Sequence, residues 1–153
     1  MHAFLLSMPR QPYSVSRPLD KESGFDMTGY NTYAYGPETY EQCRLGDVEY
    51  TRLSDQFDGW TFDLTGRTKY EEEDKTLEVK ATADGTIDAI CFYFTLNLDE
   101  EISICTAPEI ENCWTQSITY FKTPLEVKAG DTIVVPTYHK IKRIAWGQPT
   151  VSE

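Results

Sequence analysis

From about Val48 onward the apolar positions recur every second residue. Trp60, Phe62 and Leu64 alternate with Thr61 and Asp63, and Leu77, Val79 and Ala81 alternate with Glu78 and Lys80. A period of two is the pattern of a strand with one buried face. Asp84-Gly85 then reads as a turn in which glycine takes a positive φ. Beyond it, Ile90, Phe92, Phe94, Leu96 and Leu98 share one face, while Ala89, Cys91 and Tyr93 occupy the other. A strand apolar on both faces belongs in the middle of a sandwich or barrel, and its β-branched and aromatic content argues against a buried helix.

Further strands are predicted over Ile102 to Thr106, Trp114 to Phe121, Thr132 to Val135 and Ile141 to Trp146. Asp99-Glu100-Glu101, the Pro108 loop and Ala129-Gly130-Asp131 separate them. Short strands at this spacing, with almost no helical period, predict an all-β antiparallel barrel or sandwich. The first fifty residues read as an irregular Tyr/Pro-rich N-terminal extension. Pro9, Pro12 and Pro18 punctuate it, and Tyr30, Tyr33, Tyr35 and Tyr40 surround Gly36-Pro37. Clustered tyrosines suit a docking or carbohydrate-stacking surface, and equally a loop packed on a neighbouring domain with each hydroxyl kept wet.

With 153 residues the chain is long enough for one domain with a proper core. Hydrophobic residues at 40% and charged residues at 25% are ordinary globular composition. Fourteen Lys and Arg stand against 25 Asp and Glu, a formal charge of −11. That field repels phosphate backbones and argues against nucleic acid; it suits a cationic partner such as an arginine-rich peptide, or serves solubility alone. His139, Lys140, Lys142 and Arg143 form a local basic patch, read as an edge strand protected by lysine or an anion contact. The longest apolar run, Ala89 to Phe94, is far too short to span a membrane, and Phe4-Leu5-Leu6 is too brief for a secretion signal. Cys43, Cys91, Cys105 and Cys113 include no C-x-x-C pair, which argues against zinc and a disulfide framework; no N-x-[ST] sequon occurs. An intracellular chain, cytoplasmic or nuclear, is expected.

Catalytic signals are sparse. No G-x-G-x-x-G, phosphate loop or G-x-S-x-G elbow is present. His2 reads as a terminus without fixed structure and His139 as a surface residue, although a Cys113–His139 nucleophile pair is conceivable. Glu71-Glu72-Glu73-Asp74 reads as a solvated acidic loop that could attract guanidinium groups.

One ordered set of segments is more specific. Leu77 to Lys80, Gly85 to Phe94, Ile104 to Pro108, Trp114-Thr115-Gln116 and Leu125 to Asp131 occur in the order of the C-terminal β-barrel of the protein arginine methyltransferases. That barrel carries a small-residue/Thr/Pro loop, then Thr-His-Trp-x-Gln, a strand, and a Lys-x-Gly-Asp/Glu turn. Gly24-Phe25-Asp26-Met27 resembles the segment that follows the family's dimerisation arm, and Leu53 to Leu64 is similar to the barrel's opening strand. The resemblance runs from about Gly24 to Tyr138.

It implies methyl transfer from S-adenosylmethionine to an arginine guanidinium. The donor would be bound by an N-terminal half absent from this chain, so that no cofactor and no catalytic residue are expected here. It divides the chain into residues 1–46, an irregular extension with a remnant of the arm region, a barrel over 47–146 and a tail over 147–153. Asn112, Cys113, Trp114 and Gln116 would form a substrate-side loop, and Gly24, Phe25, Asp26 and Met27 an interface. Asn112-Cys113-Trp114 stands where the family has Thr-His-Trp, and a thiol cannot replace an imidazolium opposite a carboxylate. Trp114 is expected to fill the core. Partners would be an arginine-rich peptide or protein, a catalytic methyltransferase subunit, or a second copy of the chain. The alternative is a free-standing β-sandwich module binding carbohydrate or peptide through exposed aromatics.

Overall fold

A computed structural model describes residues 1–9, 19–34, 40–66, 71–140 and 143–152, with the side chains of 33 and 34 excepted. Its strands are β1 (His2–Ser7), β2 (Lys21–Glu22), β3 (Phe25–Asp26), β4 (Glu41–Cys43), β5 (Thr51–Arg52), β6 (Phe57–Asp58) and β7 (Glu73–Lys80). They continue as β8 (Gly85–Tyr93), β9 (Thr95–Asn97), β10 (Ser103–Cys105), β11 (Gln116–Val127), β12 (Thr132–Lys140), β13 (Arg143–Trp146) and β14 (Thr150–Val151). The one helical turn longer than a 3-10 turn among the described residues is α1 (Asn31–Ala34). All pairings are antiparallel, as the alternating pattern predicted.

One sheet runs β4-β11-β8-β1-β5, with β6 also on the outer edge of β1. A second is built on β12, with β7 on one side and β13 and β14 on the other. The inward faces of the two sheets enclose the main core. Ala3, Leu5, Ile90 and Phe92 of the first meet Val79, Ile133, Val135 and Trp146 of the second. Because side chains alternate along β8, Ala89, Cys91 and Tyr93 face the other way into a second core with Phe4, Leu6, Met8 and Leu45. The two-faced apolar strand is therefore the shared wall of both cores.

The start of the chain corrects the sequence reading. Ala3, Phe4, Leu5 and Leu6 are wholly buried, and β1 lies between β8 and the β5/β6 edge rather than in an irregular extension. His2 is likewise fixed, with Nδ1 2.7 Å from Asp58 Oδ1 and Nε2 3.0 Å from Thr95 Oγ1. Residues 60–64 form no strand: Trp60 is buried and its indole N–H donates to Thr137 Oγ1 at 3.0 Å, whereas Leu64 is exposed.

Prolines extend strands that the sequence seemed to stop. Pro124 falls where the β8–β11 register shifts between Tyr120 and Leu125, a bulge that flips which residues of β8 face the main core. Pro136 lies between the β12 residues paired to β13 and those paired to β14, so its missing N–H breaks no ladder bond. Gly147 N–H donates to the Pro136 carbonyl in that gap at 2.8 Å. Thr137 and His139 consequently continue the buried face of Ile133 and Val135. His139 is buried, its ring packed at a tilt against both Trp60 and Phe62, and is not a surface residue.

Turn chemistry is local. Gly130 takes φ 94° before Asp131, as its turn requires. Gly85 does not take a positive φ; there a Cβ would stand 2.9 Å from Leu53, so close packing is what demands glycine. Glu73 and Asp74 belong to β7, and the four acidic residues from Glu71 are mostly solvated. Pro12, Pro18, Tyr35, Gly36-Pro37, Ile141 and Lys142 lie outside the described residues, so the full basic patch is not delineated.

Candidate substrate-side loop and interface

The loop between β10 and β11 is built on Gln116. Its side chain is 3% exposed and reaches two other segments. Leu45 N–H donates to Gln116 Oε1 at 3.0 Å, and Gln116 Nε2 donates to the Thr106 carbonyl at 3.0 Å. Thr106, itself buried, is clasped to Phe94: its N–H donates to the Phe94 carbonyl at 3.0 Å, and Phe94 N–H donates to Thr106 Oγ1 at 3.1 Å. The loop is thereby anchored at both ends.

Asn112 holds its middle. Its amide donates to the Ile110 carbonyl at 3.0 Å and the Cys105 carbonyl at 3.3 Å, and its Oδ1 accepts from Trp114 N–H at 2.8 Å. Arg44 Nη1 donates to the Asn112 carbonyl at 3.2 Å. With the loop pinned this way, Cys113 is exposed and Trp114 points outward. Trp114 is 50% exposed, packed edge-on against Phe94 at 5.4 Å, so it does not fill the core. The inside place that tryptophan was expected to take is held by Gln116.

Neither imidazole serves Cys113. Among the described residues no hydrogen bond joins Cys113 to His2 or His139, and the nucleophile pair is not assembled. Burial raises the thiol pKa of Cys91, and burial with help from Glu41 and Asp47 raises that of Cys43, so neither is an activated thiolate. No group of three metal-ligating side chains occurs among the described residues. Of the three tryptophans, Trp60 and Trp146 are buried and only Trp114 presents a ring.

Gly24 to Met27 form part of a separate hairpin, β2–β3, whose turn residues Ser23 and Gly24 have φ 52° and 88°. Two consecutive left-handed residues make the tight turn whose twist matches antiparallel strands. Asp26 Oδ1 accepts from Thr28 N–H at 2.9 Å and Thr28 Oγ1 at 2.7 Å, and the hydroxyl bond leads in holding its carboxyl pKa below the usual range. Met27 N–H closes the hairpin base onto the Asp20 carbonyl at 2.8 Å. Phe25 projects with 71% of its surface exposed. The loop and the hairpin belong to different sheets, and no pairing joins them.

Two contacts escaped sequence reasoning. Arg52 bonds Glu109 at 2.8 Å while its guanidinium covers the Phe4 ring at 3.8 Å, tying the Pro108 loop to β5. His2, Asp58 and Thr95 come from three strands, and their separations of 56 and 93 residues leave no local signal.

Residues 21–143 match the family described as the arginine methyltransferase oligomerization subdomain. An arginine N(omega)-methyltransferase of Streptomyces achromogenes is 29% identical over 84% of this chain and 33% of its own length. Protein arginine N-methyltransferase 9 of Mus musculus is 44% identical over 39% of this chain and 7% of its own. The chain thus spans a third or less of these relatives. The fold is similar to that in the Trypanosoma brucei PRMT1 enzyme-prozyme heterotetrameric complex with AdoHcy, with a TM-score of 0.52 at 17% identity, over 99% of this chain and 57% of that one. The order of motifs, the antiparallel barrel and the match over most of its length together make this chain a member of the protein arginine methyltransferase family, representing its C-terminal oligomerisation subdomain.

Proposed function

We propose that this chain serves arginine methylation from the substrate and subunit side, with the methyl donor carried by a cofactor-binding half. The carrying observation is the match to the oligomerisation subdomain over residues 21–143. The anchored loop and the exposed hairpin are the surfaces that fit such a role. Trp114 would flank an arginine-bearing segment, and Phe25 would be covered by another subunit, either a catalytic chain or a second copy. The charge of −11 draws arginine-rich substrates from a distance, an effect that weakens with salt. The resemblance sets Cys113 against the family's histidine, and in this reading the loop contributes ring and backbone contacts rather than a cation. Such work belongs in the cytoplasm or nucleus, where these thiols stay reduced.

S-adenosylmethionine supplies the methyl group that arginine accepts. The described residues do not fit it: their sheets are antiparallel, and no glycine-rich turn leads from a strand into a helix longer than α1. In this reading the donor is held by the cofactor-binding half. The test combines the purified chain, tritiated donor and an arginine-rich histone tail, with and without the cofactor-binding half of a relative. Transfer only in the presence of that half, with co-elution in light scattering, is the expected result. Transfer by the chain alone, or no association with that half or with itself, overturns the proposal.

A further inference from the structure

The loop of residues 107–115 contains no strand, and what fixes it to the barrel is a small set of side chains. At its far end the Thr115 hydroxyl donates to Gln42 Oε1 at 2.5 Å, and Arg44 holds the Asn112 carbonyl. At its near end Ala107 is seated in the second core. Among the described residues, one side-chain hydrogen bond joins the turn 107–110 to another element: Arg52 Nη2 donates to Glu109 Oε1 at 2.8 Å.

Arg52 is a firm mount for that bond. Its strand β5 pairs with β1 at Leu6, and the next residue, Leu53, donates its N–H to the Leu5 carbonyl at 2.9 Å. Its guanidinium lies over the ring of Phe4, which is wholly buried against Tyr50 and Tyr93. A planar guanidinium rests a face on a ring and donates from its edge at once, which the point charge of lysine does less well. From Glu109 an unbroken series of bonds runs to Trp114. Ile110 N–H closes the turn onto the Ala107 carbonyl at 3.1 Å, the Ile110 carbonyl accepts from the Asn112 amide, and Asn112 Oδ1 accepts from Trp114 N–H. The indole at the end of this series leans edge-on against Phe94 and is otherwise open.

We infer that Arg52 is a positioning residue: through Glu109 it fixes the stance of the 107–115 loop, and with it the angle at which Trp114 meets an arginine-bearing segment. Arg52 itself touches no substrate. The inference deepens the proposed function and rests on that reading for what Trp114 meets; that Arg52 sets the loop rests on the bonds alone.

Trp114 is its own reporter, because Trp60 and Trp146 are buried. Acrylamide quenching of tryptophan emission in the whole chain should rise about two- to threefold in Arg52→Met and in Glu109→Gln, with Arg52→Lys in between. The double variant should be quenched no more than the worse single one, the mark of two residues acting as a pair. Raising salt should increase quenching in the unaltered chain and leave Glu109→Gln unmoved. In transfer with the cofactor-binding half of a relative, each single variant should raise KM for the histone tail about threefold at unchanged kcat, since a flanking loop supplies binding that ground and transition states share. A merely structural pair would lower the urea midpoint and leave quenching and KM alone. Should Arg52→Met uncover Phe4 and unfold the chain, Glu109→Gln, on an exposed side chain, decides. Unchanged quenching in Glu109→Gln, additive effects in the double variant, or a loss confined to kcat overturns the inference. If transfer proceeds while quenching and KM stay put, the role of Arg52 alone is wrong; if no transfer occurs while quenching behaves as described, the family role is wrong and Arg52 still sets the loop.

Discussion

Replacing Gln116 by leucine isolates what the motif glutamine does. The side chains have similar size, but leucine offers neither the acceptor used by Leu45 N–H nor the donor used by the Thr106 carbonyl. Both partner residues are almost wholly buried, Leu45 at 0% and Thr106 at 1% exposure, so water cannot readily replace the lost bonds. Each stranded buried group costs about 1–3 kcal/mol. Two of them, offset in part by the apolar gain of leucine, give an expected loss of roughly 2–4 kcal/mol. Against a typical domain stability of about 5–15 kcal/mol, that is a large fraction. Urea unfolding followed by far-ultraviolet dichroism should show a lower midpoint with an unchanged m-value, and the emission of exposed Trp114 should alter as its loop loosens. A loss below about 0.5 kcal/mol would refute the assignment of Gln116 as the anchor, leaving direct substrate contact as its role.

Three further outcomes are expected. Gly59→Ala places a Cβ 2.9 Å from the ring of buried Trp146 and 3.1 Å from the Met1 side chain, so it should destabilise by about 1–3 kcal/mol in the same unfolding assay. A maleimide at neutral pH should label exposed Cys113 first and Cys91 only on unfolding, as peptide mapping by mass spectrometry would reveal; early labelling of Cys91 would contradict the second core. Burial pushes the Tyr93 phenol up to about 12 from 10.0, with Glu109 and Cys105 adding to it. Folding therefore favours the protonated phenol, and its stabilising contribution is present below pH 10 and lost as pH climbs toward 12. Absorbance at about 295 nm should report a late-titrating phenol that Tyr93→Phe removes, together with falling melting temperature in that window, with Tyr50 also shifted upward by burial; no change in the late step in Tyr93→Phe would count against it.

The sequence declared β8 because both of its faces are apolar, and the two cores on either side are the physical reason. It concealed β1 by the same logic: a strand buried on both sides has no alternation, and Ala3 to Leu6 reads as a short apolar scrap. Prolines misled in the opposite direction. Stopping at Val135 cut His139 off from Ile133, Val135 and Thr137, although stepping by two across Pro136 would have put it on the buried face. The motif Asn112 to Gln116 was visible as letters, but its inside-out arrangement was not. Which of Trp114 and Gln116 goes inward depends on carbonyl and amide partners at Thr106 and Leu45, ten and seventy-one residues away. Likewise, the alternation of Trp60, Phe62 and Leu64 has the right period, yet no strand among the described residues pairs with it.

The position of β1 also bears on how the protein is made. Leu6 finds its partner Ala89 more than eighty residues downstream, and Arg52 and Asp58 pair with the same strand sooner but only at its outer edge. At ribosomal speeds of about 5–20 residues per second, Phe4, Leu5 and Leu6 wait roughly 4–17 seconds for the segment that shields them. During that interval the apolar side chains of β1 stay uncovered on both faces, so the shared wall of the two cores closes late in synthesis.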